Sequence, residues 1–340
     1  MRKANSVSLT LGFIGLGAIL SHHLAGLKEN PEFKVVSVCD LDPEKVERWS
    51  QELGCRGFVD YRDLLAAPPD VALVALPHGL HCEATVEALR AGCHVLVEKP
   101  MAVSVDECRR MLEAARQYGR HLGVAETAGL QPGPALTGKK FRAGDLGRFF
   151  TGSILNERFY FHEGRPAWFL DPALSGGGMF SNVGLHRLAT ARACLPGLTP
   201  VSVSASVSHI PEYQVEACTS ALVRYREGGA MLYEEVGYFP RPEWLNVGTH
   251  FIFEEGIVKW DDRAWRMMTR KGQQVEEPLS PAGTSYSPVY ANLLRAIREG
   301  DSEAWEYAVD TAIAQAAYAS AREGREIDLT RPPWAITKDI

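Results

Sequence analysis

The sequence has few cysteines, and they are scattered without a recognisable pattern. There are seven of them, an odd number, and no two form a CxxC motif. This arrangement argues against a disulfide framework and favours free thiols in a reducing, cytoplasmic compartment. The seven are Cys39, Cys55, Cys82, Cys93, Cys108, Cys194 and Cys218.

The chain also lacks an excess of basic residues and a long apolar run. Lys and Arg number 36 against 42 Asp and Glu, so the net charge is −6 and no basic surface for nucleic acid is indicated. The apolar run from Leu9 to Leu20 is short and interrupted by glycines, which argues against a membrane span or a signal peptide. We therefore expect neither a nucleic-acid nor a membrane partner.

Over the first 126 residues, apolar strands alternate with amphipathic helices, the pattern of a doubly wound parallel sheet. The 340 residues are long for one core, so two domains are expected. We predict a dinucleotide-binding Rossmann domain over 1–126 and a substrate-binding and oligomerisation domain over 127–340. The predicted strands are Leu9–Ile14, Phe33–Cys39, Val71–Leu76, His94–Val97 and a sixth at His121–Ala125, and the predicted helices include Glu83–Ala91 and Asp106–Tyr118.

A glycine-containing segment leads from the first strand into a helix. Glycines at such a turn let backbone N–H groups approach a pyrophosphate at the helix N-terminus. The residues expected to bind the cofactor there are Gly15, Gly17, Ala18 and Ile19. The third glycine or alanine of the usual fingerprint is replaced by Leu20, so the motif is incomplete.

Asp40 follows the second strand, about twenty residues after the glycines. A carboxylate there suits the ribose hydroxyls of NAD and repels the additional phosphate of NADP. Leu41 offers no basic partner for that phosphate, so NAD is expected in preference to NADP. The alternative is that Asp40 caps the following helix or makes the turn at Asp42-Pro43-Glu44.

Open α/β sheets bind ligands at the carboxyl ends of their strands. The cofactor-binding candidates after the strands ending near Leu76 and Val97 are Leu76, Pro77, His78, His81, Glu98 and Lys99. For Lys99 the alternative is a solvated surface charge. The spacing of the histidines and Cys82 in this region fits no common zinc site, so no metal is expected.

The pattern changes beyond about Gly147. Strict alternation from Val201 to Ser208 indicates a strand with one solvent-facing side. We expect an α+β domain with a large, open, mainly antiparallel sheet, whose last helices pack on the first domain. Subunits often cover such a sheet, so a homodimer or homotetramer is expected. The further predicted elements are strands at Thr219–Tyr225, Ala230–Val236, His250–Phe253, Ile257–Trp260 and Trp265–Arg270, and helices at Val289–Arg298 and Trp305–Glu323.

Three consecutive glycines, Gly176 to Gly178, precede a stretch in which apolar residues recur at helical spacing. Glycines permit a close approach of the backbone to a ligand. Asn182 and His186 are four residues apart, which places them on one face of the predicted helix. The stretch is either a site for a polar small molecule or a glycine-rich loop with a structural histidine.

The order and spacing of several short motifs resemble the Gfo/Idh/MocA family, named in part for glucose–fructose oxidoreductase and inositol dehydrogenase. The resemblance implies NAD(P)-dependent oxidation or reduction of sugars, cyclitols or their derivatives. It also implies that Lys99 and His186 are catalytic. The motifs are Gly15 to Ile19 with His23, Asp40, Pro77-His78 with His81, Glu98-Lys99-Pro100, Trp168 before Asp171-Pro172, Ser175 to Gly178 with Gly184 and His186, and Ala317 to Gly324.

The chain departs from the family pattern near the proposed catalytic residues. The position four residues before the histidine is usually Asp and here is Asn182, and the position three residues after it is Ala189 rather than Asp. The segment Val124–Gly129 lacks the Asn-Tyr-Arg-like residues that often follow the last strand of the first sheet.

We interpret His186 as the general base that takes a hydroxyl proton and Lys99 as the cation that stabilises the developing alkoxide. Asn182 is expected to orient the imidazole. The same three residues, with Arg165 and Trp168, are expected to contact a carbohydrate-like substrate. Two alternatives stay open: a redox-neutral enzyme that uses bound NAD for transient oxidation in glycoside cleavage or epimerisation, and a non-catalytic NAD-binding regulatory protein.

Overall fold

A computed structural model gives the structure of residues 8–238, 247–280, 286–300 and 304–337. It contains a six-stranded sheet followed in the chain by a nine-stranded sheet. The first is parallel throughout and the second is mainly antiparallel. The fold class predicted from the sequence is therefore confirmed.

The first sheet has helices on both faces, and its strands run in one direction. The strands are β1 (Leu9–Ile14), β2 (Phe33–Cys39), β3 (Arg56–Phe58), β4 (Val71–Val74), β5 (His94–Glu98) and β6 (Leu122–Ala125). The helices are α1 (Leu20–Lys28), α2 (Pro43–Leu53), α3 (Tyr61–Leu65), α4 (His81–Arg90) and α5 (Val105–Tyr118). The order β3-β2-β1-β4-β5-β6 puts the reversal of strand order between β1 and β4, where doubly wound sheets bind ligands.

The predicted strands of this sheet are found with small shifts at their ends, but the sequence did not locate β3. That strand has three residues at the edge of the sheet, and their side chains are exposed or half-buried, so no apolar run marks them. By contrast, all four residues of β4 are apolar and buried. Such a run is typical of a strand covered on both faces.

The second sheet is built from strands of the later part of the chain. They are β7 (Phe149–Glu157), β8 (Pro200–His209), β9 (Glu216–Tyr225), β10 (Ala230–Val236), β11 (Val247–Phe253), β12 (Gly256–Trp260), β13 (Ala264–Thr269), β14 (Gln274–Pro278) and β15 (Ile327–Asp328). Their order is β14-β13-β12-β11-β7-β10-β9-β8-β15, and the β7–β10 pair is parallel.

The sequence missed the central strand β7 and the edge strands β14 and β15. The alternation of β7 is interrupted by Gly152, where a Cβ atom would lie 2.6 Å from the Met231 sulfur, so the small residue is needed for packing. β14 is largely exposed and β15 has only two residues. Neither carries the apolar pattern by which a strand is recognised.

Two C-terminal helices connect the sheets. The remaining helices are α6 (Pro132–Ala143), α7 (Pro172–Ser175), α8 (Leu185–Cys194), α9 (Ser287–Glu299) and α10 (Ala304–Glu323). Tyr290 and Leu293 of α9 share a core cluster with Phe13 of β1. α10 places Ala308 in the core of the first sheet and Ile313 in the core of the second. Within the described ranges, no helix is long and apolar enough to cross a membrane.

Candidate active site

The turn after β1 has one glycine that the fold requires and one that leaves open space. Gly15 has φ 101°, and a Cβ atom there would lie 2.3 Å from the carbonyl oxygen of Ala75. A Cβ atom at Gly17 would meet no protein atom within 4 Å. α1 starts after Ile19 without a side-chain cap, so its first N–H groups have no side-chain acceptor. This turn therefore fits the pyrophosphate of a dinucleotide.

Leu20 is buried in the core of the first sheet, beside β1. A larger side chain at the third fingerprint position is therefore accommodated by packing and does not block the open side of the turn. Ala18, by contrast, is exposed at the turn and adds no bulk beyond its methyl group.

Asp40 closes the same turn from the end of β2. Its Oδ2 accepts a hydrogen bond from the Leu16 N–H at 2.8 Å, and its Oδ1 accepts one from the Asp42 N–H at 3.0 Å. The cap of α2 is Asp42, which accepts hydrogen bonds from the Glu44 and Lys45 N–H groups. Asp40 therefore lies beside the glycine turn and is not the cap of α2, although its hydrogen bond from the Asp42 N–H supports the other alternative, a role in the turn that leads into α2.

His81 does not face the cofactor site, contrary to expectation. Its ring is fully buried, with Nδ1 2.8 Å from the carbonyl oxygen of Pro100 and Nε2 2.8 Å from that of Leu76. Burial lowers the pKa of His81, so the neutral ring donates its one N–H to one of these carbonyl groups while its other nitrogen lies against the second, between the loop after β4 and the loop after β5. His78 follows Pro77 and pairs through Nδ1 with the Ser175 carbonyl oxygen at 3.0 Å.

Glu98 is also a structural residue rather than a cofactor ligand. Its Oε1 accepts hydrogen bonds from Tyr286 Oη at 2.8 Å and His23 Nε2 at 3.0 Å, and its Oε2 accepts one from the Lys99 N–H. The Nδ1 atom of His23 is 2.9 Å from Tyr290 Oη. Because these partners occupy the buried carboxylate, Glu98 joins β5 to α1 and to the N-terminal half of α9.

Lys99 is held by Asn182. The Lys99 ammonium group donates to Asn182 Oδ1 at 2.7 Å and to the Asn182 carbonyl oxygen at 3.0 Å. Asn182 Nδ2 in turn donates to Tyr160 Oη at 3.3 Å. Residues Phe180–Gly184 form a turn of π-helix ahead of α8. The expectation that Asn182 orients His186 is wrong, because its amide is committed to Lys99 and Tyr160.

Burial lowers the pKa of Lys99, and the positive charges of Arg158 and Arg165 lower it further. The carboxylates of Glu98 and Glu126 act in the opposite direction. Lys99 is therefore a desolvated cation with charged neighbours rather than a solvated surface lysine.

The residue that orients His186 is Glu126, which directly follows β6 and which the sequence analysis did not identify. Its Oε1 accepts hydrogen bonds from His186 Nδ1 at 2.8 Å and from the Ala128 N–H at 2.6 Å. Burial opposes the ionised form, but the charge and hydrogen bond of His186 outweigh it and the pKa of Glu126 falls to about 2. The carboxylate is thus an acceptor at neutral pH, so Nδ1 carries the proton and Nε2 is left as the basic nitrogen.

Arg165 and Trp168 both contact the Phe169 ring, beside this arrangement. The Arg165 guanidinium lies over the Tyr160 ring, 3.8 Å from its centre, and so belongs to the Asn182–Lys99 side. Trp168 stacks on Phe169 and meets the His78 ring edge-on, with centroids 4.7 Å apart. Trp168 therefore adjoins the loop after β4.

The three glycines before the π-helical turn serve the fold rather than a ligand. A Cβ atom at Gly177 would lie 2.5 Å from Tyr318 Oη, and one at Gly178 would lie 2.1 Å from the Glu216 carbonyl oxygen. Buried Glu216 also accepts a hydrogen bond from the Phe180 N–H at 2.8 Å. The close approach predicted for a ligand is instead an approach to β9 and α10.

Comparison with known families agrees with this architecture. Residues 9–126 match the family model described as "Oxidoreductase family, NAD-binding Rossmann fold", and residues 138–256 match the "GFO/IDH/MocA C-terminal domain". The chain belongs to the GFO/IDH/MocA family. The resemblance seen in the sequence motifs is therefore confirmed, and the first domain has the NAD-binding fold that those motifs imply.

Several members of the family resemble this chain at low identity. D-glucoside 3-dehydrogenase of Escherichia coli (strain K12) is 29% identical over 204 residues, covering 56% of this chain and 55% of that protein. Inositol 2-dehydrogenase of Rubrobacter xylanophilus is 21% identical over 353 aligned positions, covering 99% of each. Levoglucosan dehydrogenase, in complex with NADH and levoglucosan, has a TM-score of 0.85 at 19% identity, covering 95% of this chain and 100% of that one.

These matches differ in how much of each related protein they cover. The matches to the first five curated relatives span between 53% and 61% of the length of those proteins. Levoglucosan dehydrogenase is only 19% identical in sequence, so its structural similarity shows a common fold and nothing more. The activity of the whole chain therefore has to be argued from its own residues.

The two glycines of the first turn are expected to respond differently to alanine. In Gly17→Ala the added methyl group meets no protein atom, so the melting temperature should stay near that of the wild type while NAD affinity falls by about tenfold or more, roughly 1.4 kcal/mol. In Gly15→Ala the methyl group meets the Ala75 carbonyl, so stability and affinity should both fall. Calorimetric titration with NAD and thermal unfolding measure the two effects; unchanged NAD affinity in Gly17→Ala would place the pyrophosphate elsewhere.

Replacing Asn182 by Asp should raise the pKa of Lys99. The new carboxylate would lie where Oδ1 now accepts from the ammonium group, and an opposite charge at that distance favours the charged form of the lysine. The shift opposes the lowering caused by burial and by the two arginines. Lysine-selective NMR titration, assigned with Lys99→Met, measures it, and Asn182→Ser is the neutral control. A shift at His186 instead of Lys99 would return Asn182 to its originally expected role.

Proposed function

We propose that the protein is an NAD-dependent oxidoreductase that transfers a hydride between the cofactor and a secondary alcohol or ketone of a sugar, cyclitol or sugar derivative. One observation carries the proposal: the ends of β5 and β6 bring a desolvated lysine, Lys99, and a carboxylate–histidine pair, Glu126 and His186, to the same edge of the NAD-binding sheet. The relatives named D-glucoside 3-dehydrogenase and inositol 2-dehydrogenase support this substrate class.

His186 is proposed to take the hydroxyl proton through Nε2. Its side chain is 27% exposed, so a ligand can reach the ring, whereas the side chain of Glu126 is only 3% exposed. Glu126 fixes the tautomer through Nδ1 and stabilises the imidazolium that forms when Nε2 accepts the proton. Bound NAD supplies the hydride acceptor. In the reductive direction the same imidazolium returns the proton.

Lys99 is proposed to stabilise the oxygen that loses the proton. Two of its hydrogen bonds go to Asn182, which aims the ammonium group and leaves one N–H for a ligand. A cation in a desolvated site stabilises developing negative charge more strongly than one in water. Asn182 therefore acts as the positioning residue of Lys99.

NAD is proposed as the preferred cofactor because the end of β2 is negative. Asp40 and Asp42 lie 3.8 and 3.7 Å from the ammonium group of Lys45, so two carboxylates share one cation. The additional phosphate of NADP would meet the remaining negative charge. Leu41, the residue after the acid, is exposed and apolar.

A homodimer or homotetramer formed through the second sheet is part of the proposal. Ile257 of β12 and Met268 of β13 lie directly opposite each other across the two strands and are 40% and 46% exposed. Apolar exposure of this kind favours coverage by another subunit. All seven cysteines are free thiols, which supports a reducing compartment such as the cytoplasm. We retain the division into domains 1–126 and 127–340.

The proposed activity is tested by offering sugars, cyclitols, sugar acids and amino sugars with NAD or NADP and following absorbance of the reduced cofactor. Accumulation of NADH with at least one substrate is expected, with NAD preferred. A product that forms without NADH would indicate the redox-neutral alternative. Binding of NAD without conversion of any substrate would indicate the non-catalytic alternative.

His186→Ala should lower kcat by on the order of a hundredfold or more, the usual size of the effect when an acid–base group is lost. His209→Ala, an exposed histidine at the end of β8, is the matched control and should retain wild-type kcat. Stopped-flow measurement of NADH formation separates the chemical step from product release. Wild-type kcat in His186→Ala would show that another group moves the proton.

A further inference from the structure

Two arginines beside the proposed site have no carboxylate within ion-pair distance in the part of the chain that the structure describes. Arg158 directly follows β7, where its backbone N–H donates to the Val236 carbonyl oxygen at 2.9 Å. Arg165 lies in the segment between β7 and α7. Arg165 is half-buried whereas Arg158 is exposed, so it is the Arg165 guanidinium that is costly to desolvate unless an anion neutralises it.

The Arg165 guanidinium is held rigidly before any ligand binds. Its Nε atom donates to the Tyr160 carbonyl oxygen, and the group lies 3.8 Å from the centre of the Tyr160 ring and 5.0 Å from that of Phe169. These contacts fix its plane and leave the two terminal nitrogens for another acceptor. A planar guanidinium fixed in this way suits the two oxygens of a carboxylate or phosphate.

A short series of contacts connects Arg165 to the proposed site of chemistry. Its neighbour Tyr160 accepts a hydrogen bond from Asn182 Nδ2, and Asn182 Oδ1 accepts one from the Lys99 ammonium group. Arg165 is therefore connected to the Lys99 ammonium group by three successive contacts, through Tyr160 and Asn182.

Charges around this region interact and are mainly positive. Burial is the largest cause that lowers the pKa of Lys99; Glu98 and Glu126 raise it, and the smaller effects of Arg158 and Arg165 lower it. Burial and, to a smaller extent, the charge of Arg158 lower the pKa of Arg165. The neighbouring acid Glu235 does not neutralise them fully, because burial raises its pKa to about 7. Its Oε1 lies 3.8 Å from Arg187 Nε, so what charge it carries is shared. The protein as a whole has a net charge of −6, so this local surplus of cations does not reflect a basic composition.

We propose that the substrate is an anionic sugar or cyclitol derivative whose carboxylate or phosphate is bound by Arg165 and Arg158 while its hydroxyl lies at Lys99 and His186. This inference rests on the proposed function and narrows it. The neutral amide at Asn182 fits the same conclusion, because a carboxylate at that position would repel the anion. The two arginines lie beyond β7, a strand of the second sheet, whereas the glycine turn expected to hold the cofactor pyrophosphate precedes α1.

The experiment compares substrates that differ only in the anionic group, with wild-type protein. Glucose is paired with glucuronate and with glucose 6-phosphate, and galactose with galacturonate. Calorimetric titration of the NADH-loaded protein measures binding, and NADH formation from NAD measures turnover. We expect at least one anion to bind at least about tenfold more tightly than its neutral partner, because hydrogen bonds to charged groups are stronger than those between neutral groups. Uronates and phosphates distinguish the two kinds of anion.

Arg165→Gln should remove that preference by weakening binding of the anion about 10- to 100-fold, while its affinity for the neutral partner changes little. Arg158→Gln should give a smaller loss, because its guanidinium is less constrained. Arg142→Gln, at an exposed position near the end of α6, is the matched control and should keep the preference. The NAD affinity of all three variants should equal that of the wild type.

The results separate this inference from the proposed function. Neutral sugars that bind as tightly as their acids, or an anion preference that survives Arg165→Gln, would overturn the inference even if NADH is formed. Preferential binding of an acid without turnover of any substrate would support the inference and contradict the proposed oxidoreductase activity. A fall in NAD affinity in Arg165→Gln would assign this arginine to the cofactor and also overturn the inference.

Discussion

The hydrogen bond between Glu126 and His186 is the contact on which the proposed site depends. It joins the end of the last strand of the NAD-binding sheet to the first turn of α8, at a separation of 2.8 Å. The neighbouring contact, from Lys99 to Asn182, joins the end of β5 to the preceding π-helical turn. Together they hold the proposed base and the Lys99 cation near adjacent strand ends, so the proposed site lies where the two parts of the chain meet.

Much of this arrangement could be predicted because parallel strands place their carboxyl ends at one edge. That rule predicts Asp40 and Lys99 as site residues. Helical spacing, together with the family motifs, predicts His186. The same rule also covers Glu126, an acid directly after a buried strand, but the absence of the usual Asn-Tyr-Arg-like residues drew attention away from it. Glu126 gives His186 a carboxylate partner whereas Asn182 holds Lys99, so the two residues serve different groups of the site.

The rest could not be predicted, because the sequence does not show whether a polar or small residue faces a ligand or the protein. Glu98 and His81 were expected to bind the cofactor, but their polar atoms contact backbone and side-chain groups of the protein. Gly177 and Gly178 were expected to let the backbone approach a ligand, but Tyr318 and Glu216 fill that space. Glu98, Gly177 and Gly178 depend on contacts more than thirty residues away along the chain, whereas His81 depends on two backbone carbonyl groups 5 and 19 residues away, and neither kind of contact leaves a local pattern.

The central claim is that Glu126 holds the proton on His186 Nδ1 and leaves Nε2 as the base. Nitrogen-15 NMR of the ring-labelled protein at pH about 8, assigned with His186→Gln, measures this tautomer without any substrate. The account predicts a protonated Nδ1 and an unprotonated Nε2 in the wild type, and loss of that preference in Glu126→Ala. A protonated Nε2 in the wild-type protein would contradict the account, because the nitrogen assigned to accept the substrate proton would already carry one.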